Sequence, residues 1–252
     1  MTVTVERAER ASFILDRLAA AGEVSVSGLA EELGLSEVTV RSTLQGLEDE
    51  GLLIRTRGGA KPTAFKNIRL RQADRVGEKE RIAAAAAAMV DDYDRVMIEA
   101  GTTCAIIPRM LMGKRRVQVV TNSTLVFANA RLNPSLNIIL TGGVFRPESE
   151  SLVGPVAERS INDFNARIAF LGTDGFSVER GLTTQLVEGG QVATLMRQRA
   201  EQTWLVADSS KFGRAGFVSF LKLSEVTGII TDSGIPAAAV DELQEHAEVR
   251  VV

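Results

Sequence analysis

Apolar residues recur at helical spacing three times in the first 50 positions. Ala11, Ile14, Leu15 and Leu18 predict a first helix over roughly residues 6–21, and Gly22 stops it, as glycine does just past a helix end. Leu29, Ala30 and Leu33 predict a second helix near residues 27–33, closed by Gly34. Ser36 is placed to cap a third, whose Val40, Leu44 and Leu47 lie at i, i+4 and i+7. After Gly51 the period changes. A short apolar strand, Leu52-Leu53-Ile54, leads to Arg55 and Arg57 on alternate positions and to a Gly58-Gly59 tip. Residues 61–77 hold Pro62, scattered bases and no clear period, and read as a linker.

A long helix is expected from about Glu78 to Val90. Its six consecutive alanines, Ala83 to Ala88, suit close packing on a sheet. Strands and helices then alternate. The expected strands are Val96–Glu99, Val117–Val120, Asn137–Leu140, Ile168–Leu171, Trp204–Ala207, Gly228–Ile230 and Glu248–Val252. Helices should start near Thr103, Ser123, Pro155, Glu188 and Pro236. Such alternation means an α/β domain, a mostly parallel sheet with helices on both faces. The expected organisation is therefore a winged helix-turn-helix over 1–60, a linker over 61–77 and an α/β domain over 78–252.

Composition narrows the function. Apolar content of 45% with 24% charged residues is that of a soluble globular protein. No basic-then-apolar leader is seen at the N-terminus, and no apolar run approaches the roughly 20 residues of a membrane span, so a cytoplasmic protein with no membrane partner is expected. Cys104 and His246 are each the single residue of their kind, which excludes a zinc site built from Cys and His, and a Ser-His-Asp triad unless His246 serves it. No metal or cofactor is expected. The net charge of -3 argues against a chain that coats nucleic acid along its length. A local patch is another matter: Arg55, Arg57, Lys61, Lys66, Arg69 and Arg71 fall between Gly51 and Arg71 with no acid among them.

A capped helix followed by a basic hairpin is the order a winged helix-turn-helix needs. The start of the third helix would face base edges: Ser36, Glu37, Thr39 and Arg41, with Ser42 and Thr43 behind. Arg41 can pair bidentately with a guanine. Arg55, Arg57 and Lys61 would hold phosphate or the minor groove, giving affinity more than sequence. The competing reading is a three-helix packing module with a solvated basic hairpin.

In parallel sheets ligands sit beyond the carboxyl ends of the strands. Those positions here are small and polar: Glu99-Ala100-Gly101-Thr102-Thr103, Thr121-Asn122-Ser123, Thr141-Gly142-Gly143 followed by Arg146, Gly172-Thr173-Asp174-Gly175, and Asp208-Ser209-Ser210-Lys211, with Glu188 opening a later helix. Each turn alone is ordinary; five at one sheet edge make a pocket. Gly101-Thr102-Thr103 and Thr121-Asn122-Ser123 each open a helix, where backbone N–H groups bind phosphate. Lys211 adds a positive charge, and Glu99 and Asp174 can accept from sugar hydroxyls. A small phosphorylated polyol or sugar is implied.

The first 60 residues resemble the DNA-binding domain of the DeoR/GlpR family of bacterial sugar-responsive repressors, through Leu29-Ala30, Ser36, Thr39-Val40-Arg41, Leu44, Leu47-Glu48, Gly51, Arg55 and Gly58-Gly59-Ala60. The remainder resembles the family's effector domain, through residues 99–103, 120–123, 141–143, 170–172, 181–183 and 208–213, so the likeness runs co-linearly over nearly the whole chain. It implies a fold similar to ribose-5-phosphate isomerase and an effector site lined by Gly101, Thr102, Thr103, Thr121, Asn122, Asp174 and Lys211. Three departures stand out. Arg41-Ser42-Thr43 replaces the family's usual Arg-Arg-Asp, Glu99 stands where Asp is common, and Ala193-Thr194-Leu195-Met196 lacks a common basic residue. The main expectation is a DNA-binding repressor, not an enzyme, whose partners are operator DNA, a phosphosugar and further copies of itself as a dimer or tetramer. The rival is a phosphosugar isomerase with Asp174 as base. The resembling isomerases carry two closely spaced acids at that turn, whereas Asp174 is followed by Gly175-Phe176-Ser177.

Overall fold

The computed structural model describes residues 2–49, 51–62 and 68–252, and they fall into two units, Met1–Asp74 and Arg75–Val252. Lys66 of the basic stretch lies outside the described residues.

The first unit holds α1 (Thr2–Ala21), β1 (Val24–Ser25), α2 (Val26–Leu33), α3 (Glu37–Asp49), β2 (Ile54–Arg55), β3 (Gly59–Lys61) and α4 (Ile68–Ala73). The helical stripes meet: Ile14 and Leu18 of α1, Leu29 of α2, and Val40, Leu44 and Leu47 of α3 bury against Leu52 and Leu53. Each such side chain contributes about 1.5–3 kcal/mol on leaving water. Two serines cap the helices. Ser25 Oγ accepts the Gly28 N–H at 3.0 Å and Ser36 Oγ accepts the Thr39 N–H at 3.2 Å. Gly34 turns the chain between α2 and α3 at φ 65°. The wing is a three-stranded sheet in the order β1-β3-β2, so the residues between α1 and α2 complete it. Gly59 is held there by close approach, since a Cβ at that position would lie 1.8 Å from the Val24 carbonyl oxygen.

The boundary between units differs from the expected one. The helix α4 occupies part of the supposed linker, with Ile68 and Leu70 buried, and α5 (Val76–Ala88) starts two residues before Glu78. Six residues give too short a period to recognise amid scattered bases.

The second unit is built on seven strands: β4 (Arg95–Ile98), β5 (Val117–Thr121), β6 (Leu136–Leu140), β9 (Ala166–Leu171), β12 (Ala200–Val206), β14 (Gly228–Thr231) and β15 (Glu248–Val251). They pair in the order β15-β14-β12-β9-β4-β5-β6, all parallel. Alternate residues face opposite sides. Val96 and Ile98 of β4, Ile168 and Phe170 of β9, and Trp204 and Val206 of β12 pack with Ile82, Ala83, Ala86 and Ala87 of α5 and with Val126 of α7 (Thr124–Ala130). Met97, Ala169, Leu171 and Leu205 face α8 (Pro155–Asn162), α9 (Val187–Gln198) and α10 (Ala237–Gln244), through Ala157, Ile161, Val192, Met196 and Leu243. The alanine run presents small residues to the sheet, as its composition suggests. The remaining helix, α6 (Ile107–Met110), follows a 3₁₀ turn at Cys104–Ile106.

Two antiparallel additions were not legible in the sequence. The strands β7 (Val144–Arg146) and β8 (Ser151–Val153) form a hairpin, and β10 (Gly175–Ser177), β11 (Gly181–Thr184) and β13 (Val218–Leu221) form a small sheet. Strands of three or four residues are too short to show an alternating pattern.

Candidate DNA-reading face and effector cleft

The exposed stripe of α3 carries Glu37, Val38, Arg41, Ser42, Gln45 and Asp49. Arg41 projects with its Nη2 3.1 Å from Glu37 Oε2, an exposed i,i+4 pair of the kind that costs little to exchange for another partner. Two expected readers are turned away from that stripe. Thr43 is buried, and its hydroxyl donates to the Thr39 carbonyl at 3.0 Å. Thr39 Oγ1 lies 2.9 Å from Ser36 Oγ, so both hydroxyls serve the cap. The reason is the 3.6-residue period: Thr39 and Thr43 flank the buried Val40–Leu44–Leu47 stripe.

The three bases of the wing are not equivalent. Arg57 and Lys61 are exposed. Arg55 is folded back on α3: its backbone N–H donates to Glu48 Oε1 at 2.8 Å, its guanidinium lies 3.8 Å from Glu48 Oε2, and it also donates to Gln45 Oε1. Arg55 therefore ties the wing to the helix it follows. Val38 and Gln45 are members of the exposed face that the sequence reading did not name; an exposure pattern follows from the helix phase once the buried stripe is fixed.

In the second unit the chain order places a switch point between β4 and β9, from which successive strands run outward in opposite directions. Crevices at such points receive ligands. Glu99 and Gly172, the residues just beyond these two strands, meet there: the Gly172 N–H donates to Glu99 Oε2 at 3.3 Å. A Cβ on Gly101 would stand 3.7 Å from the Gly172 Cα, so the two turns approach backbone to backbone. Thr102 and Thr103 are buried beside them and lead into the 3₁₀ turn and the short α6.

Thr121 and Asn122 are fully buried, and their polar atoms are occupied within the protein. Thr121 Oγ1 donates to the Ile98 carbonyl at 2.6 Å and accepts the Ser123 N–H. Asn122 Oδ1 accepts the Ala100 N–H, and its Nδ2 donates to the Leu152 carbonyl. The N-terminus of α7 is also largely satisfied, because the Thr124 N–H donates to the Glu150 carbonyl and the Val126 N–H to Ser123 Oγ. The β7–β8 hairpin supplies that carbonyl. This second phosphate cradle expected from the sequence is filled by the protein's own chain, and Thr121 and Asn122 act as the struts that position the Glu99–Thr103 turn.

Gly142 and Gly143 adopt φ of 71° and 124°, and a Cβ on Gly143 would come within 2.7 Å of the Val153 carbonyl oxygen, so their role is to admit the hairpin. The hairpin carries Arg146 to Glu188 at the start of α9, with Nη2 donating to Oε1 at 2.7 Å. A backbone N–H bond at Glu188 itself, and then Arg146, hold the Glu188 carboxyl below the usual range. Asp174 Oδ2 accepts from Thr184 Oγ1 at 3.1 Å and from the Gln185 N–H at 2.9 Å, which fixes the segment leading to Glu188. Arg146, Glu188 and Asp174 thus belong to one connected wall.

Lys211 sits half-buried in a 3₁₀ turn, Ser209–Lys211, capped by Asp208. This turn is anchored by a residue the sequence reading passed over. Arg75 places its Nη2 2.9 Å from Ser209 Oγ and 3.0 Å from Asp232 Oδ2, and its Nε 3.3 Å from Asp208 Oδ1. Burial alone would raise the Asp232 pKa. The Ser209 and Gly234 N–H groups, the Ser209 hydroxyl and Arg75 overcome it and hold the carboxyl below its usual range. Cys104 is buried in the core, and that burial, then the charge of Glu99, push its thiol well up. His246 is exposed just before β15, at the sheet edge opposite the crevice. Among the described residues no cluster of His, Cys, Asp and Glu could hold a metal ion, and no helix is long and apolar enough to cross a membrane. The described residues also line surface cavities. One of about 420 Å³ is lined by Val187, Gly190, Thr194 and Phe220 and one of about 640 Å³ by Tyr93, Arg115 and Asn137.

Comparison with known proteins bears on both halves. A family model described as the DeoR C terminal sensor domain matches residues 74–233, and one described as a DeoR-like helix-turn-helix domain matches residues 10–63. The chain is 33% identical to a putative aga operon transcriptional repressor of Escherichia coli O157:H7, over 97% of this chain and 92% of that protein. It is 35% identical to the HTH-type transcriptional regulator GlpR of Haloferax volcanii, over 97% of each. Among solved structures, ribose 5-phosphate isomerase from Plasmodium falciparum aligns with a TM-score of 0.40 at 15% identity, over 55% of this chain and 54% of that one.

Proposed function

We propose a function on the premise that this chain belongs to the DeoR family of transcriptional regulators: it is a sequence-specific repressor of sugar-catabolism genes whose DNA affinity is set by a small phosphorylated sugar. The observation that carries the sensor half is the meeting of Glu99, Gly101 and Gly172 at the β4/β9 switch point. In this reading the Gly101-Thr102-Thr103 turn and Lys211 hold the phosphate, and Glu99, Asp174 and the Arg146–Glu188 pair receive the sugar hydroxyls. The start of α3 enters the major groove and the wing lies along the phosphates. One helix-turn-helix reads only a few base pairs, so the working species is a homodimer or homotetramer on paired half-sites.

The enzyme reading is disfavoured by the state of Asp174. A general base needs a carboxylate oxygen aimed at the proton it removes. One oxygen of Asp174 already accepts from Thr184 and Gln185, an arrangement suited to fixing a wall.

Lys211→Ala tests the proposal. The variant should bind DNA as wild type does and lose the response to every sugar phosphate that shifts wild-type affinity in a gel-shift titration. Equal shifts in both proteins would place the phosphate elsewhere. An equal response to the unphosphorylated sugar would remove the phosphate argument altogether. Product formation from aldose or ketose phosphates by the pure protein would favour the isomerase instead.

A further inference from the structure

Among the described residues of the helix-turn-helix, the largest apolar exposure is on α3 itself. Val38, the second residue of that helix, is 77% exposed, although every other valine and leucine of α3 is buried. Isolated exposed apolar residues are common on protein surfaces, but this one stands where a reading helix meets base edges. Arg41 and Ser42 follow it at i+3 and i+4 and are exposed on the same side. Gln45, the next residue of the stripe, is engaged on both ends of its amide: its Nε2 donates to Asp49 at 2.8 Å and its Oε1 accepts from Arg55. The exposed side chains over the first turns of the helix are therefore Glu37, Val38, Arg41 and Ser42, and Val38 is the apolar one among them.

Val38 has no hydrogen-bonding atom, so it can distinguish bases only by apolar contact. Among the base edges of the major groove, the thymine C5-methyl is the group built for that contact. We propose that Val38 is a specificity-determining residue that packs on a thymine methyl in each operator half-site. The inference rests on the reading of α3 as the recognition helix. Three helical residues span about 4.5 Å, and base pairs are spaced by about 3.4 Å. The thymine therefore lies within two base pairs of the guanine read by Arg41. Ser42, at i+4 from Val38, is short and Thr43 is buried, so Arg41 is the long side chain beside Val38 on this face.

The test uses the full-length protein and duplexes selected by it from a random library. Each thymine of the selected half-site is replaced singly by deoxyuridine, which removes only the C5-methyl. Affinity is then measured for wild type, Val38→Ala and Arg41→Ala. One replacement should weaken wild type about fourfold, the worth of one buried methyl, and leave Val38→Ala unaffected. The sensitive thymine should lie within two base pairs of the guanine to which Arg41→Ala becomes indifferent. Val38 is exposed, so its replacement by alanine should leave the circular dichroism spectrum and melting temperature unchanged. If wild type tolerates every replacement, or if the replacements cost wild type and Val38→Ala equally, the proposal is overturned while a defect in Arg41→Ala keeps α3 as the reader. If Arg41→Ala and Val38→Ala both bind as wild type does, the assignment of α3 itself fails.

Discussion

The two candidate sites are built on opposite principles. On α3 the candidate readers Val38, Arg41 and Ser42 stand exposed, held by at most an exchangeable ion pair such as Arg41–Glu37. At the sheet edge the corresponding residues are buried or half-buried and hydrogen-bonded over long sequence separations, as in Glu99 to Gly172, Asn122 to Ala100 and Arg75 to Asp232. A surface that docks on a long polymer needs only its backbone to be rigid, because the polymer supplies the desolvation. A pocket for a small polar ligand must have its groups oriented before the ligand arrives. Substitutions in the first region should therefore change binding without stability, and those in the second should change stability along with response.

The largest expected effect that could break this contrast is in the sensor unit. Asp232→Ala should lower its stability by about 3 kcal/mol, because it strips a buried partner from Arg75, Ser209 and Gly234. Urea unfolding monitored by Trp204 fluorescence would measure it; a change within error would mean that the cluster is dispensable. The same residue gives a pH signature. Its folded pKa lies below the unfolded value, so its contribution is present at neutral pH and lost as pH falls through the folded value, below about pH 4. Wild type should lose more stability on acidification than the variant does.

Next in size, Arg41→Ala should weaken specific DNA binding by about 2 kcal/mol, the worth of a bidentate base contact, with unchanged thermal unfolding. Loss of stability in this variant would show that the exposed face is not independent of the core. At similar scale, Ser36→Ala should cost the first unit about 1 kcal/mol by removing the cap on Thr39; it sharpens the contrast because Ser36 is an exposed DNA-face candidate whose hydroxyl caps α3.

The smallest effects separate the wing arginines. Arg57→Ala should flatten the log–log salt dependence of DNA binding by up to about 0.9, one phosphate contact. Arg55→Ala should alter the slope less, because its guanidinium is already committed to Glu48 and Gln45. Equal changes in slope would mean that Arg55 leaves α3 when DNA binds.

The seven parallel strands, the three N-terminal helices and the caps at Ser36 and Gly34 were legible because they rest on local chemistry. Runs of Val, Ile and Leu mark strands buried on both faces, 3.6-residue spacing marks helices, and serine and glycine mark their ends. The same logic placed the Glu99, Thr121, Thr141, Gly172 and Asp208 segments at one sheet edge, since every parallel strand ends on the same side.

What the residues determined alone was thus the inventory of elements and the edge at which the polar turns collect. Tertiary structure decided which of those polar groups are available. Thr121 reads as a ligand donor until the end of the neighbouring strand offers it the Ile98 carbonyl, and Asn122 until the hairpin carrying Leu152, thirty residues away in the chain, closes over it. Arg55 reads as a phosphate contact until Glu48 and Gln45 are brought beside it, and Arg75 reads as one base among several until Asp208 and Asp232 meet it from two distant strands. Periodicity is a property of neighbours in sequence, whereas the partner of a polar atom is chosen by whichever distant segment the fold places within hydrogen-bonding distance. A buried polar atom must take that partner or lose more than it gains.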